Sequence, residues 1–276
     1  MPIKPQWFDV TSHASSAYIQ EDGQGQLRRR TYKKRPGTLG ICGVIQNRFR
    51  IDTVAHVLCL GFSREETEDA LIELNYLGVE NLLLVRGDSP NYEKQYSKEK
   101  SLNRYAIDLV RQVVELREGR FLEDLAESSK LDYCIGVAGY PEKHFEAANM
   151  ELDIKYLKEK VDAGANYIVT QMFFDNKNFY DFVSQCRAIG ITVPIIPGLK
   201  ILKSAQQLKT IPRTFHVDLP TDLVNQILAD PSHCEEIGAA WAKKQMEDLI
   251  NNGHNNLHLY VMNDAHVARK VIETLT

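Results

Sequence analysis

Asn81-Leu82-Leu83-Leu84-Val85-Arg86-Gly87-Asp88-Ser89-Pro90 is the stretch on which the fold reading turns. The apolar residues Leu82 to Val85 are bounded by polar and turn-forming residues. Such a run fits a strand buried on both faces of a parallel sheet rather than one half-exposed in an antiparallel sheet. It stops at Arg86-Gly87-Asp88, and in parallel α/β folds ligands sit at the carboxyl ends of the strands. A cation, a bare backbone and a carboxylate delivered there read as a binding site. The alternative is that Asp88 caps the next helix while Gly87 relieves a tight turn.

The same pattern recurs on both sides of this run. Strands are predicted to begin at Trp7, Thr53, Leu82, Tyr133, Tyr167, Pro194 and Leu257. Helical segments lie between them. Ser63-Arg64-Glu65-Glu66 is a capping box, followed by a stripe of Leu71, Leu74 and Leu77 and a Gly78 stop. Asn103 to Glu118 is the next expected helix, and Thr38 to Phe49 is long enough for one. The helix from Met150 to Gly164 is expected to bury Leu152, Tyr156, Leu157 and Val161, and Asp153, Tyr156 and Lys160 to share a polar edge. Phe179, Phe182, Val183, Cys186 and Ile189 form another stripe, closed by Gly190. A helical region through Gln207, then an insertion containing Pro212 and Pro220, precede a long helix from Pro231 to Asn251 and a last one from Asp264. Residues 14–36 read as one long loop with a basic cluster from Arg28 to Arg35, either solvated or forming a rim for an anionic ligand.

Strict βα alternation without a composition break predicts a single domain, 1–276. A doubly wound sheet would carry a Gly-rich phosphate turn after its first strand, and no such motif occurs. The seven βα units fall one short of a (β/α)8 TIM-type barrel, the first βα unit being the missing one. A net charge of −4 speaks against nucleic acid as a partner. Five scattered cysteines without a C-x-x-C pair point to buried thiols in a reducing compartment, not to a metal site or disulfides. No run approaches membrane-spanning length, and a cytoplasmic location is expected.

Read together, the strand ends LLVRGD, GYPEKHFEA, VDAGANYIVTQMFFD, IIPG and LHLYVMN are similar in order and spacing to those of the methylenetetrahydrofolate reductases, from Trp7 onward. The most specific pieces are Tyr140 to His144 and Val161 to Asp175. The resemblance implies a (β/α)8 barrel holding FAD without a covalent bond. It also implies ping-pong reduction of 5,10-methylenetetrahydrofolate to 5-methyltetrahydrofolate by NAD(P)H, and a homo-oligomer. Thr11 and Ala14 match positions beside the flavin, with Ser12 standing where many members have tyrosine. His56, Arg86, Gly87, Asp88, Ala106, Tyr140, His144, Ala147, Asp153 and Lys160 match flavin-binding positions. Asp88 and Gln171 match catalytic positions, and Asp88, Gln171 and Gln207 match substrate-contacting ones.

Those residue types suit the chemistry. Arg86 and Lys160 can serve phosphates, and Gln171 offers both donor and acceptor to a pterin edge. A carboxylate near the flavin disfavours its anionic reduced form. Without the resemblance, His56 reads equally as a core histidine, Tyr140 as packing, and Asp153 with Lys160 as a solvated helix face.

The family's first strand carries a general-acid glutamate in an F-E-F-x-P-P-like motif, expected before Trp7, where only six residues stand. The expected explanation is a chain whose real start lies upstream, Met1 being internal. Without a positioned acid, ring opening loses roughly 10²–10⁴-fold in rate. The second reading is therefore a non-catalytic flavin- or folate-binding remnant. At Asp264 some members place an arginine near the folate, which leaves the contact to the folate tail unassigned.

Overall fold

The computed structural model describes residues 5–12, 16–21, 23–32, 36–87, 102–123, 128–262 and 264–275. Their contacts divide the chain into two units, Pro5–Gly136 and Val137–Thr276, each built from parallel strands alternating with helices. Among the described residues no helix is long and apolar enough to cross a membrane.

In the first unit β1 (Trp7–Val10) leads into a hairpin, β2 (Ser16–Glu21) and β3 (Leu27–Tyr32). Helix α1 (Thr38–Val44) runs into a π-helical turn at Ile45–Phe49 and ends where Arg50 turns left-handed, at φ 56°. Then come β4 (Asp52–Leu58), α2 (Arg64–Tyr76), β5 (Asn81–Val85), α3 (Ala106–Arg117) and β6 (Cys134–Gly139), whose last residues belong to the second unit. β1 pairs in parallel with β4 from Trp7 opposite Asp52 to Val10 opposite Ala55. β4 pairs with β5 from Val54 opposite Asn81 to Leu58 opposite Val85. Leu82, Leu83 and Leu84 are all buried, as the opening run requires.

The capping box forms: Ser63 Oγ accepts from the Glu66 amide at 3.1 Å, and Glu66 Oε2 accepts from the Ser63 amide at 2.9 Å. Helix α3 starts at Ala106 rather than Asn103 because the Asp108 carboxylate accepts from the amides of Arg104 and Tyr105 and ends the preceding turn there. On its buried face Gln112 accepts from Asn103 Nδ2 and donates to the Arg64 carbonyl, so this buried amide has partners on both sides.

Residues 14–36 are not one long loop. Ser16 to Glu21 and Leu27 to Tyr32 pair antiparallel around a turn containing Gly25, at φ 77°. Tyr18, Ile19, Thr31 and Tyr32 are strong β-formers, and the interspersed arginines mask them in the sequence.

The second unit continues with α4 (Met150–Asp162), β7 (Tyr167–Met172), α5 (Asn176–Ala188) and β8 (Ile195–Leu199). It then runs through α6 (Gln207–Phe215), α7 (Thr221–Ala229), α8 (Cys234–Asn251), β9 (His258–Leu259) and α9 (His266–Glu273). β7, β8 and β9 are neighbours and parallel. The buried side of α4 is Ile154 and Leu157, whereas Tyr156 is 49% exposed, so the expected stripe was rotated too far. Pro212 does not break the chain but lies inside α6. Its neighbour Ile211 is buried in a cluster with Met172, Phe174, Leu202 and Leu223, and that packing outweighs the backbone bond the proline forgoes. β9 is only two residues long; the Val261 amide already turns back to the Leu259 carbonyl at 3.0 Å, and Met262 follows at φ 57°.

Gly198 is a tight point of this unit. Its amide donates to Thr170 Oγ1 at 2.9 Å, and Tyr260 Oη donates to the Thr170 carbonyl at 2.9 Å. A Cβ on Gly198 would sit 2.3 Å from Thr170 O and 2.8 Å from the Tyr260 ring. Gly198→Ala should therefore push β8 off β7 and lower stability by about 1–3 kcal/mol, read from urea denaturation. An unchanged midpoint would show that the β7–β8 contact is looser than described.

Candidate functional site

The sequence-predicted residues fall into two sets, one in each unit. In the first, Thr11 directly follows β1, and its carbonyl accepts from Thr38 Oγ1 at 3.1 Å, which ties the strand exit to α1. Arg86 and Gly87 follow β5. The Arg86 carbonyl accepts from the Leu60 amide at 2.9 Å, and Gly87 has φ 99° with Leu58 and Leu60 against it, a position that favours glycine. Ala106 is the first residue of α3. His56 lies within β4, level with the residue after Val10 in the register. Its Nε2 stands 3.4 Å from Oδ1 of Asp9, a residue that the sequence reading passed over. Ala14 and Asp88 lie outside the described residues.

In the second unit the residues after β6 form one connected cluster. The Tyr140 and His144 rings meet edge to face with centroids 4.6 Å apart. The His144 amide donates to Asp153 Oδ2 at 2.8 Å, and Lys160 Nζ donates to the Ala138 carbonyl at 2.9 Å. The expected polar edge of α4 is thus real at Asp153 and Lys160. It holds the β6 exit from both sides, one group on the loop and one on the strand. Lys143, at φ 75°, folds its side chain over the loop and donates to the carbonyls of His144 and Ala147.

Gln171 is half-buried on β7, and its Oε1 accepts from the next amide, Met172, at 2.9 Å. Its Nε2 donates to no described residue. Gln207 is the first residue of α6. Its Oε1 accepts from the amides of Lys203 (2.6 Å) and Ser204 (3.3 Å) and so caps the turn into α6, leaving only its Nε2 on offer.

Three polar residues that sequence reasoning passed over join these sets. Asp9 could have been found as an acid inside an otherwise β-forming run. Glu142 sits within the quoted Tyr140 to His144 motif but received no role there. It accepts from the Asp218 amide at 2.6 Å and from Asn178 Nδ2 at 3.0 Å, linking the β6 exit to α5 and to the segment before α7. Lys200, at the β8 exit, donates to the Tyr260 carbonyl at 3.1 Å. Burial, with Lys203 adding, holds its ammonium below the usual lysine range. Lys203 in turn pairs with Asp264 at 3.0 Å, so Asp264 already has a cation of its own.

Burial pushes the Glu142 carboxyl upward against the pull of its two hydrogen bonds, with Asp218 and Asp175 adding to the rise. A raised acid binds its proton more tightly folded than unfolded. Its contribution to stability is therefore full below the ordinary glutamate value, about 4.3, and is lost as pH rises through the folded value. Glu142→Gln removes that titration. Between about pH 4 and about pH 7 the stability difference should move in the variant's favour as pH rises. A constant difference in denaturation midpoint, or the opposite trend, would contradict this.

The profile of the family described as methylenetetrahydrofolate reductase matches residues 1–276. Methylenetetrahydrofolate reductase 1 of Schizosaccharomyces pombe is 34% identical over 241 residues, covering 86% of this chain and 38% of the relative. The 5,10-methylenetetrahydrofolate reductase of Pectobacterium carotovorum is 28% identical, covering 99% of this chain and 80% of the relative. Against the relatives from S. pombe, Caenorhabditis elegans and Saccharomyces cerevisiae, the chain spans 38%, 33% and 42% of their length. Among solved structures, a Clostridium thermocellum protein that binds two copies of 5-methyl-5,6,7,8-tetrahydrofolic acid has a similar fold. Its TM-score is 0.52 at 14% identity, covering 84% of this chain and 78% of that one. The alternating strands, the connected cluster after β6 and the match along the whole chain agree: this chain belongs to the methylenetetrahydrofolate reductase family.

Proposed function

We propose that this chain reduces 5,10-methylenetetrahydrofolate to 5-methyltetrahydrofolate with NAD(P)H, using non-covalently held FAD, within a (β/α)8 TIM-type barrel. The observation that carries the reading is the family match over residues 1–276, which spans both sets of strand-end residues.

The donor set suits FAD, which combines a pyrophosphate, hydroxyls and an amide-like ring edge. Arg86 and Lys160 are the cations for the pyrophosphate, and Ala106 offers a helix N-terminus. His56, Tyr140 and His144 supply ring and hydrogen-bonding surface, while Thr11, Gly87 and Ala147 let the ligand approach the backbone; Ala14 is assigned beside the flavin on the resemblance alone. When bound, FAD supplies hydride storage between nicotinamide and folate.

The chain's own residues then orient the folate. Gln171 presents an amide nitrogen that donates to no described residue and a carbonyl oxygen already shared with Met172, so it is a donor first and an acceptor second. Gln207, its oxygen committed to the α6 turn, acts as a donor only. Asp153 and Lys160 keep the Tyr140–His144 loop in place, so that binding energy is not spent on ordering it. Asp88 is assigned the carboxylate role beside the flavin and pterin on the resemblance alone.

The deciding measurement is an anaerobic visible spectrum of the purified 276-residue protein before and after NADH. A flavin band at about 450 nm that bleaches with NADH and returns with 5,10-methylenetetrahydrofolate is the expected result. Bleaching without return would favour the binding-protein reading. No flavin band, with no gain on adding FAD, would remove the cofactor from the proposal. Gln171→Glu should slow the folate half-reaction by about 10–100-fold, the effect of one misplaced hydrogen bond, and leave NADH oxidation nearly unchanged. Equal losses in both half-reactions would take Gln171 out of the folate site.

A further inference from the structure

Asp9 is a carboxylate set in the middle of β1, and its side chain is 8% exposed. Trp7 Nε1 donates to its Oδ2 at 2.8 Å. Its Oδ1 lies 3.4 Å from Nε2 of His56 on the adjacent parallel strand, whose side chain is 13% exposed. His56 Nε2 and Asp9 Oδ1 are both shut off from solvent and approach each other to 3.4 Å without a hydrogen bond between them.

An imidazole nitrogen in that position carries either a lone pair or an N–H. A lone pair would set two acceptors against each other at 3.4 Å in a poorly solvated site, where repulsion is little screened. An N–H turns its positive end toward the carboxylate and stabilises it. The tautomer of a histidine is set by the partner of its other nitrogen. We propose that Asp9 is a positioning residue, holding His56 with Nε2 protonated so that Nδ1 is the nitrogen presented to the ligand.

Nδ1 makes no hydrogen bond to any described residue. As a neutral ring held in this form, His56 accepts from a hydroxyl or N–H of the ligand and rejects a bare acceptor at the same point. The nearby Cys42 thiol is pushed up to about 11, first by burial and, against its hydrogen bond with Thr53, further by Asp9, so it stays neutral. That the ligand is FAD rests on the function proposed above; the tautomer does not.

The test is a ¹⁵N spectrum of the imidazoles of the full chain, with the His56 signals identified by their loss in His56→Gln. The expected result is a protonated Nε2 and, in the neutral ring, an unprotonated Nδ1. Asp9→Asn, whose amide NH₂ can turn toward Nε2, should move the tautomer ratio toward Nδ1–H by about tenfold or more, the effect of losing a favourable contact with a charged group. A wild-type ring protonated at Nδ1 overturns the proposal, and so does an unchanged ratio in folded Asp9→Asn. Should that variant fail to fold, the wild-type spectrum alone decides. FAD titration separates the two readings. Weaker retention in both His56→Gln and Asp9→Asn supports the pair and its ligand together. The expected tautomer with unchanged FAD retention keeps Asp9's role and removes His56 from the flavin site.

Discussion

A parallel strand covered on both faces leaves its polar groups one inexpensive place, its ends. β5 shows the constraint plainly, with Leu82, Leu83 and Leu84 buried and the first polar side chain arriving at Arg86. The same holds where β6 ends before Tyr140 and where β8 ends before Lys200. Chemistry in this chain collects at strand exits because burial forbids it nearly everywhere else along the strands.

The exceptions obey the same rule from the other side. A polar group kept inside must find a partner there. Thr170 is fully buried on β7, where its hydroxyl takes the Gly198 amide and its carbonyl takes Tyr260. Gln112 is sandwiched between Asn103 and the Arg64 carbonyl. His56 faces Asp9. In the last case the pairing also selects which nitrogen remains for use, so an interior constraint becomes a property of the binding surface.

Much of the second unit's candidate site is held by contacts that a one-dimensional pattern cannot display. The helical spacing of Asp153 and Lys160 was legible, but not that one would grip the His144 amide and the other the Ala138 carbonyl. Gln207 looked like a ligand group and proves to be first a turn cap. The hairpin of β2 and β3 was hidden because the run Arg28-Arg29-Arg30 drew the reading toward a basic loop, although strand propensity was present around it. The α4 stripe was misjudged because Tyr156 is apolar in bulk yet tolerates solvent with its hydroxyl, so periodicity alone does not say which side it takes.

By itself the amino-acid order determined the alternation of strands and helices, the capping box at Ser63, the glycine stops and the strand ends where ligands belong. These are local consequences of burial and backbone geometry, so short segments suffice to encode them. Tertiary structure alone decided that Pro212 stays within a helix, that Gly198 is pressed against Thr170, that Glu142 links the β6 exit to α5, and that Asp9 meets His56. Each of those depends on residues distant in the chain being brought within a few ångströms. Hydrogen bonds and steric contacts act only at that range.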